Sequence, residues 1–340
     1  MKYATVIEKA YSTPWLILPS KAAEIRSFLE SKAADLEVEF EATEKPKGIR
    51  VFGETAIIPM QGVIFPKANL MMNISGGTSA EIFRSQVRAA ARDQKVKSIL
   101  LDVDTPGGSV LGIEEAAQAV REARDFKPVL ASVNNGIMAS AGYWIGSQAS
   151  RIMAGPSTAV GSIGVILIHR EFSEMDKRSG VKATVMTSSK RKGIGNPYEP
   201  LSKDDQKFLE GELAKIHDRF VSAVAQGRGV SEEIVRRDFG QGAMVQADDA
   251  LKVGMIDAIQ DFDSTLHGVE QTNITAARVG RIGTKRDFEG FLRDSGFSRE
   301  RAVWLAGAWD DHQRESGELD TELKALIEER FREGLARLRA

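Results

Sequence analysis

The chain has no cysteine among its 340 residues. That excludes disulfides, thiolate nucleophiles and zinc–thiolate sites outright. It also has no dominant charge: 46 Lys and Arg stand against 48 Asp and Glu, a net charge of −2. No overall field therefore draws nucleic acid or an anionic membrane to it. Long apolar runs are missing as well. A membrane span needs ~20 apolar residues, and the apolar piece near the start is only Trp15 to Pro19. No secretory leader pattern follows it, so the expected location is the cytoplasm or an assembly built there. Histidine is scarce, at four positions: His169, His217, His267 and His312. What is present, 42% hydrophobic and 28% charged residues, is a globular composition with enough length for one or two domains.

Apolar periodicity gives the organisation. TAIIPMQGVI (55–64), SILLDVDT (98–105) and PVLASVN (128–134) read as strands. SAEIFRSQVRAAARD (79–93) and GIEEAAQAVREARDF (112–126) have helical spacing, with Ser79 as an N-cap. Strands alternating with helices of this length predict an α/β protein with a largely parallel sheet. RIMAGP, IGVILIH and KATVMTSS continue the strand series to about Ser189, and a long helix follows from Ser202 to about Ala225. SEEIVRRDF (231–239) is a further helix, capped by Ser231. Residues 1–50 read as a peripheral extension with one helix from Ala22 to Glu37, and 51–263 as the main domain. Residues 264–284, polar and weakly periodic, read as a linker, and 285–340 as a charged helical tail.

Three stretches carry chemistry. NNGIMASAGYW (134–144) sets one hydroxyl, Ser140, among residues with almost no side chain. A serine after a strand and before a helix presents its hydroxyl where the next amide, from Ala141, points at a developing oxyanion; a close-packed helix contact is the plainer reading of the same residues. DTPGGSV (104–110) closes a strand with two glycines whose N–H groups lie uncovered, which suits an acceptor nest or a simple Pro-Gly turn. STAVGSIGVI (157–166) brackets Ser162 and Ile163 with glycines in an apolar run. The first two fall at carboxyl ends of predicted strands, where open α/β sheets place their sites.

Taken in order, AIIPMQGVI, DTPGGSV, MASAGYW, GPSTAVGSIGV and FGQGAMVQADDALKVGMIDAI (239–259) resemble the signal peptide peptidase A family of serine proteases, over about Ala56 to Asp257. The resemblance implies the Clp-protease/crotonase fold of repeated β-β-α units, with a helical C-terminal extension. It implies Ser140 as nucleophile and an oxyanion hole from the amides of Ala141 and of Gly108, or Gly107. Ala141 departs from the glycine usual there, but a backbone donor tolerates it. No cofactor or metal is implied.

Serine needs a group to take its proton. In the family this is a lysine in the segment after GSIGV, here VMTSSKRKGIGNPYEPLS (185–202), and matching the Ser, Gly-Ile and Pro positions puts it on Lys192, with Lys190 as the lesser choice. Ser188 and Ser189 would orient it. A lysine base must be neutral, so its pKa of ~10.4 has to fall by about three units; Lys190 and Arg191 push in that direction. As plain sequence, the same stretch is a solvated basic loop. His169 is the rival base, giving a Clp-like Ser-His site, although it falls several residues past the matching position.

The tail segment DFEGFLRDSGFSRERAVWLAGAW (287–309) resembles a segment of the bacteriophage branch, the head-maturation or minor-capsid-C-type proteases. This implies polypeptide substrates such as phage scaffold, head or portal proteins and action inside an assembling prohead in the host cytoplasm. The resemblance to single-lysine members of the family implies a homo-oligomeric ring, and the charge balance and short apolar runs give no expectation of a nucleic-acid or membrane partner. The phage-branch resemblance also marks 264–284 for self-cleavage. Two other classes remain: a crotonase-type acyl-CoA enzyme, which would need carboxylates that the MASAGYW turn lacks, and a non-catalytic capsid component.

Overall fold

A computed structural model describes residues 14–33, 48–68, 77–279 and 284–294, with isolated positions up to Gly307. The chain divides into two compact units, Met1–Val269 and Glu270–Ala340. The first holds β1 (Trp15–Ile17), α1 (Pro19–Ala33), β2 (Arg50–Phe52), β3 (Thr55–Gln61), β4 (Ile64–Phe65), β5 (Thr78–Ser79), α2 (Ala80–Arg92), β6 (Ser98–Thr105), β7 (Gly107–Ser109) and α3 (Ile113–Arg124). It continues with β8 (Val129–Ala139), α4 (Ala141–Gly146), β9 (Arg151–Ala154), β10 (Ala159–Gly161), α5 (Ser173–Arg178) and α6 (Lys203–Arg228). Then come α7 (Glu232–Asp238), β11 (Met244–Gln246), α8 (Ala247–Lys252) and β12 (Ala258–Ile259). Helix α9 (Phe262–Val279) crosses the division, and α10 (Lys285–Asp294) lies in the second unit.

The main sheet runs β11-β10-β8-β6-β3-β2, with β9 and β12 branching from β8. Strands β3, β6 and β8 are mutually parallel; β3, the first half of β6 and most of Val129–Val133 in β8 are buried. The apolar runs AIIPM and ILL fit strand segments covered on both faces. A second sheet, β1-β7-β4-β5, stands beside it. The expected β-β-α units are visible: β6-β7-α3 is one, and β3 through β4 and β5 to α2 is another. Helix α2 buries Phe83, Val87 and Ala90 at helical spacing, and α3 buries Ile113, Ala116, Val120 and Ala123. Alanine on the buried faces lets the two helices approach closely.

The helix starts follow the caps in the sequence. Ser79, Ser202 and Ser231 each accept the amide three residues on, from Ile82, Asp205 and Ile234. Helix α6 stops at Gly229, whose φ of 67° is the left-handed C-cap conformation.

Several expectations change. IGVILIH and KATVMTSS form no strands; apart from an antiparallel bridge between Ile166 and Trp15, residues 162–172 and 179–202 are irregular. Strand propensity is realised only where an edge is available to pair with, and this stretch leaves the sheet after β10. Residues 264–279 of the expected linker are helix, because Leu266 is buried against Ile57 and Leu100 and anchors its first turns. The expected peripheral extension supplies β1 to the second sheet. The Ala22–Glu37 helix is seen from Pro19 to Ala33, and the rest of it lies outside the described residues, as does most of the 285–340 tail.

The end of the first unit is tied back by one ion pair. Arg228, with a side chain 6% exposed, makes two bonds of 2.9 Å to Asp257, and its Nε donates to the Gly254 carbonyl at 3.1 Å. Asp257 also accepts the Ile152 amide at 2.7 Å. Removing the carboxylate strands a buried guanidinium and an unpaired amide, so Asp257→Ala is expected to destabilise the protein by about 3–5 kcal/mol, read from urea unfolding midpoints.

Candidate active site

Strand β8 changes partners partway. Leu130–Val133 pairs with β9, and Ile137–Ala139 with β10. Between these halves the chain bows out: Asn135 has φ 54°, and the register with β6 shifts between Val103 and Thr105. The Asp104 carboxylate holds the bow by accepting the Ile137 amide at 3.1 Å. Gly136 is required there, since a Cβ would overlap that carboxylate. This detour aims the end of β8, and Ser140, at the Gly107–Gly108 strand.

Ser140 sits at the junction of β8 and α4 with φ 51° and ψ −115°. A non-glycine residue held at such angles costs about 1–3 kcal/mol, and such strain clusters at functional sites. The turn is clamped from both sides. The Ser140 amide donates to the Gly161 carbonyl at 2.7 Å, and the Trp144 amide donates to the Ser140 carbonyl at 2.9 Å. The small residues have a packing reason: a Cβ on Gly142 would overlap Thr105 Cγ2, and one on Gly146 would overlap Met138 Sδ. The aromatics pin the helix. Trp144 stacks on Phe220 at 4.7 Å, and the Tyr143 hydroxyl donates to the Met255 carbonyl at 2.9 Å. Burial pushes the Tyr143 phenol well above its usual pKa, so it stays a neutral donor.

Ser140 is only 1% exposed, and its Oγ is buried with no hydrogen-bond partner among the described residues. An unpaired buried hydroxyl is costly. Gly107 faces it: a Cβ there would stand 3.0 Å from the Ser140 Cβ and overlap the Leu16 carbonyl. The Gly107 amide donates to Thr105 Oγ1 at 3.1 Å, which leaves Gly108 the better placed of the two for other acceptors. Ala141 opens α4, where first-turn amides have no intrahelical acceptor. Ser140, Ala141, Gly107 and Gly108 are therefore brought together.

Lys192 is not. It is exposed on the irregular 179–202 segment, with its amide on the Ser189 carbonyl at 3.2 Å. Its neighbours are committed to the start of α6: Lys190 pairs with Asp204 at 3.2 Å, and Arg191 with Asp204 and Asp205 at 3.3 and 3.2 Å. His169 does not bond Ser140 either; its Nε2 is buried without a hydrogen-bond partner among the described residues. A cavity of about 600 Å³ lined by Ile163, Val165, Leu213, His217, Val221 and Phe239 opens beside the GSIGV segment, and Ser140 does not line it. Asp104 was missed from sequence. Its only signal was an acidic residue preceding the glycine turn.

A strained serine at a strand–helix junction, facing a Gly-Gly strand, is the arrangement that a serine hydrolase with backbone oxyanion donors requires. The comparison with known proteins is specific: residues 121–274 match the model of peptidase family S49. It is similar to capsid assembly protease C of Escherichia phage lambda, 30% identical over 63% of this chain and 48% of that protein. It is also similar to protease 4 of Haemophilus influenzae, 30% identical over 71% of this chain and 39% of that one. The third relative is the head-tail preconnector protein GP5 of Enterobacteria phage P21, 27% identical over 62% of this chain and 41% of that one. The chain thus spans about half or less of each of these relatives. Among the described residues no helix is long and apolar enough to cross a membrane.

The packing predicts a sensitive position outside the reacting groups. Gly142→Ala is expected to cost about 1–3 kcal/mol by overpacking against Thr105. It is also expected to slow labelling of Ser140 by a fluorophosphonate, followed by intact-protein mass.

Proposed function

We propose that this chain is a serine endopeptidase with Ser140 as its nucleophile. One observation carries the reading: the strained, buried and unpartnered Ser140 hydroxyl facing the Gly107–Gly108 strand. Ser140 Oγ attacks the scissile carbonyl while the Ala141 and Gly108 amides receive the oxyanion. Each such donor is worth about 10²–10³ in rate. A base takes the Ser140 proton and returns it to the leaving amine, and water then releases the acyl group by the same route.

We assign the base to Lys192, on the family pattern. It makes no hydrogen bond to Ser140 in the single chain, so the dyad needs segment 179–202 to close over the site, or a second copy to bring it there. The exposure of that segment, with Met186 87% exposed, supports a surface made to be covered, and this fits a homo-oligomeric ring. His169 remains the second reading because its buried Nε2 lacks a partner. The phage relatives named for capsid assembly and head–tail connection support head, scaffold or portal proteins as substrates, cut in an assembling prohead in the host cytoplasm.

With casein as substrate, Ser140→Ala and Lys192→Ala are each expected to lose at least 10³-fold in kcat/KM while His169→Ala keeps near-normal activity. Inactive His169→Ala with active Lys192→Ala reverses the assignment of the base. A Ser140→Ala variant that still cuts removes the peptidase reading itself.

A further inference from the structure

The nucleophile is closed off in this structure, and the closure is made by the chain itself. Strand β1 runs antiparallel to β7, with Trp15 opposite Ser109, Leu16 opposite Gly108 and Ile17 opposite Gly107. Leu18 donates to the Pro106 carbonyl at 3.0 Å. In an antiparallel ladder bonded pairs alternate, so the next bonded pair after Leu18–Pro106 is Leu16–Gly108. This register turns the Gly108 amide toward the Leu16 carbonyl. On its other edge β1 pairs with the segment after GSIGV: Trp15 and Ile166 exchange both backbone bonds, at 2.8 and 3.0 Å. The point where a Cβ on Gly107 would stand is 3.0 Å from both the Leu16 carbonyl carbon and the Ser140 Cβ.

This is the geometry of a peptide offered for cleavage. Proteins capture extended segments by adding a strand to a free sheet edge, with alternate side chains filling pockets. Here a three-residue strand lies between two edges, its middle carbonyl faces the oxyanion donor, and its middle side chain, Leu16, is fully buried. Trp15, next to it, is only partly buried, and Ile17 packs into a separate small cluster with Val63 and Phe65. We propose that Trp15–Leu18 occupies the enzyme's own substrate groove as a tethered substrate-like strand, with Leu16 on the acyl side of the bond facing Ser140. Two consequences follow. The groove takes an extended polypeptide with a large aliphatic residue at the Leu16 position, and β1 must leave before another chain is cut. The proposal rests on the serine-peptidase reading above.

The absence of native cysteine makes a reversible test possible. Trp15 and Ile166 are a bonded antiparallel pair, with Cα atoms about 5.5 Å apart, inside the span a disulfide bridges. The double variant Trp15→Cys with Ile166→Cys locks the strand when oxidised and frees it when reduced. Casein cleavage and fluorophosphonate labelling of Ser140 are read in both states of the full chain. The expected result is at least a tenfold loss on oxidation, restored by reductant. In parallel, Leu16→Asp, which disfavours the buried strand, is expected to label severalfold faster than wild type. Equal rates in the oxidised and reduced double variant overturn the proposal, as does failure of the two cysteines to pair. The double variant also decides the question if Leu16→Asp does not fold. A protein that neither labels nor cuts in either state, with wild type equally inert, shows instead that the peptidase reading has failed, and the groove assignment falls with it.

Discussion

Everything at the site depends on the break in β8. A parallel strand deep in a sheet runs straight unless something pays for a detour. Here the unusual backbone of Asn135, the absence of a Cβ at Gly136 and the Asp104 carboxylate on the Ile137 amide together let β8 leave β9 and rejoin the sheet against β10. Only then does the strand end beside the glycine strand instead of beyond it. The positive φ of Ser140 is the last step of that turn, held by Gly161 ahead of it and Trp144 behind it.

The small residues around Ser140 are thus a consequence of aiming it. Helix α4 packs tightly against its neighbours, and Gly142 and Gly146 are where it meets the Thr105 and Met138 side chains. The aromatics that follow do the opposite job. Trp144 and Tyr143 reach outward to Phe220 and Met255 and fix the short helix to the rest of the core. A helix of six residues cannot hold itself together in water; its conformation is borrowed from these contacts.

The same close packing explains why the site is closed. The amide proposed as oxyanion donor lies on a strand edge, where it is an unsatisfied backbone group unless another strand pairs with it. The residues of β1 satisfy it from within the chain, on both edges at once. The largely exposed 179–202 segment, carrying Lys192, stands in contrast: its KATVMTSS part reads as a strand but pairs with no edge.

The parallel core and its helices were legible in the sequence. The buried runs of β3, β6 and β8, the helical spacing of α2 and α3, and the serine caps at Ser79, Ser202 and Ser231 are local patterns that sheet burial and helix geometry impose on any chain. Ser140 and the Gly107–Gly108 strand were legible too, because close backbone approach demands glycine and alanine at fixed places. Sequence reading failed where the outcome depended on a distant partner. IGVILIH looked like a strand but found no ladder beyond the single Ile166 bridge; residues 264–279 looked like a linker but gained a buried face through Leu266; and WLIL, only an apolar scrap near the start, became a strand because β7 and Ile166 offered it two edges. Short-range patterns determined which segments are helix or strand where burial is periodic. Which edge each segment meets is a matter of long-range pairing, and only the tertiary structure decided it.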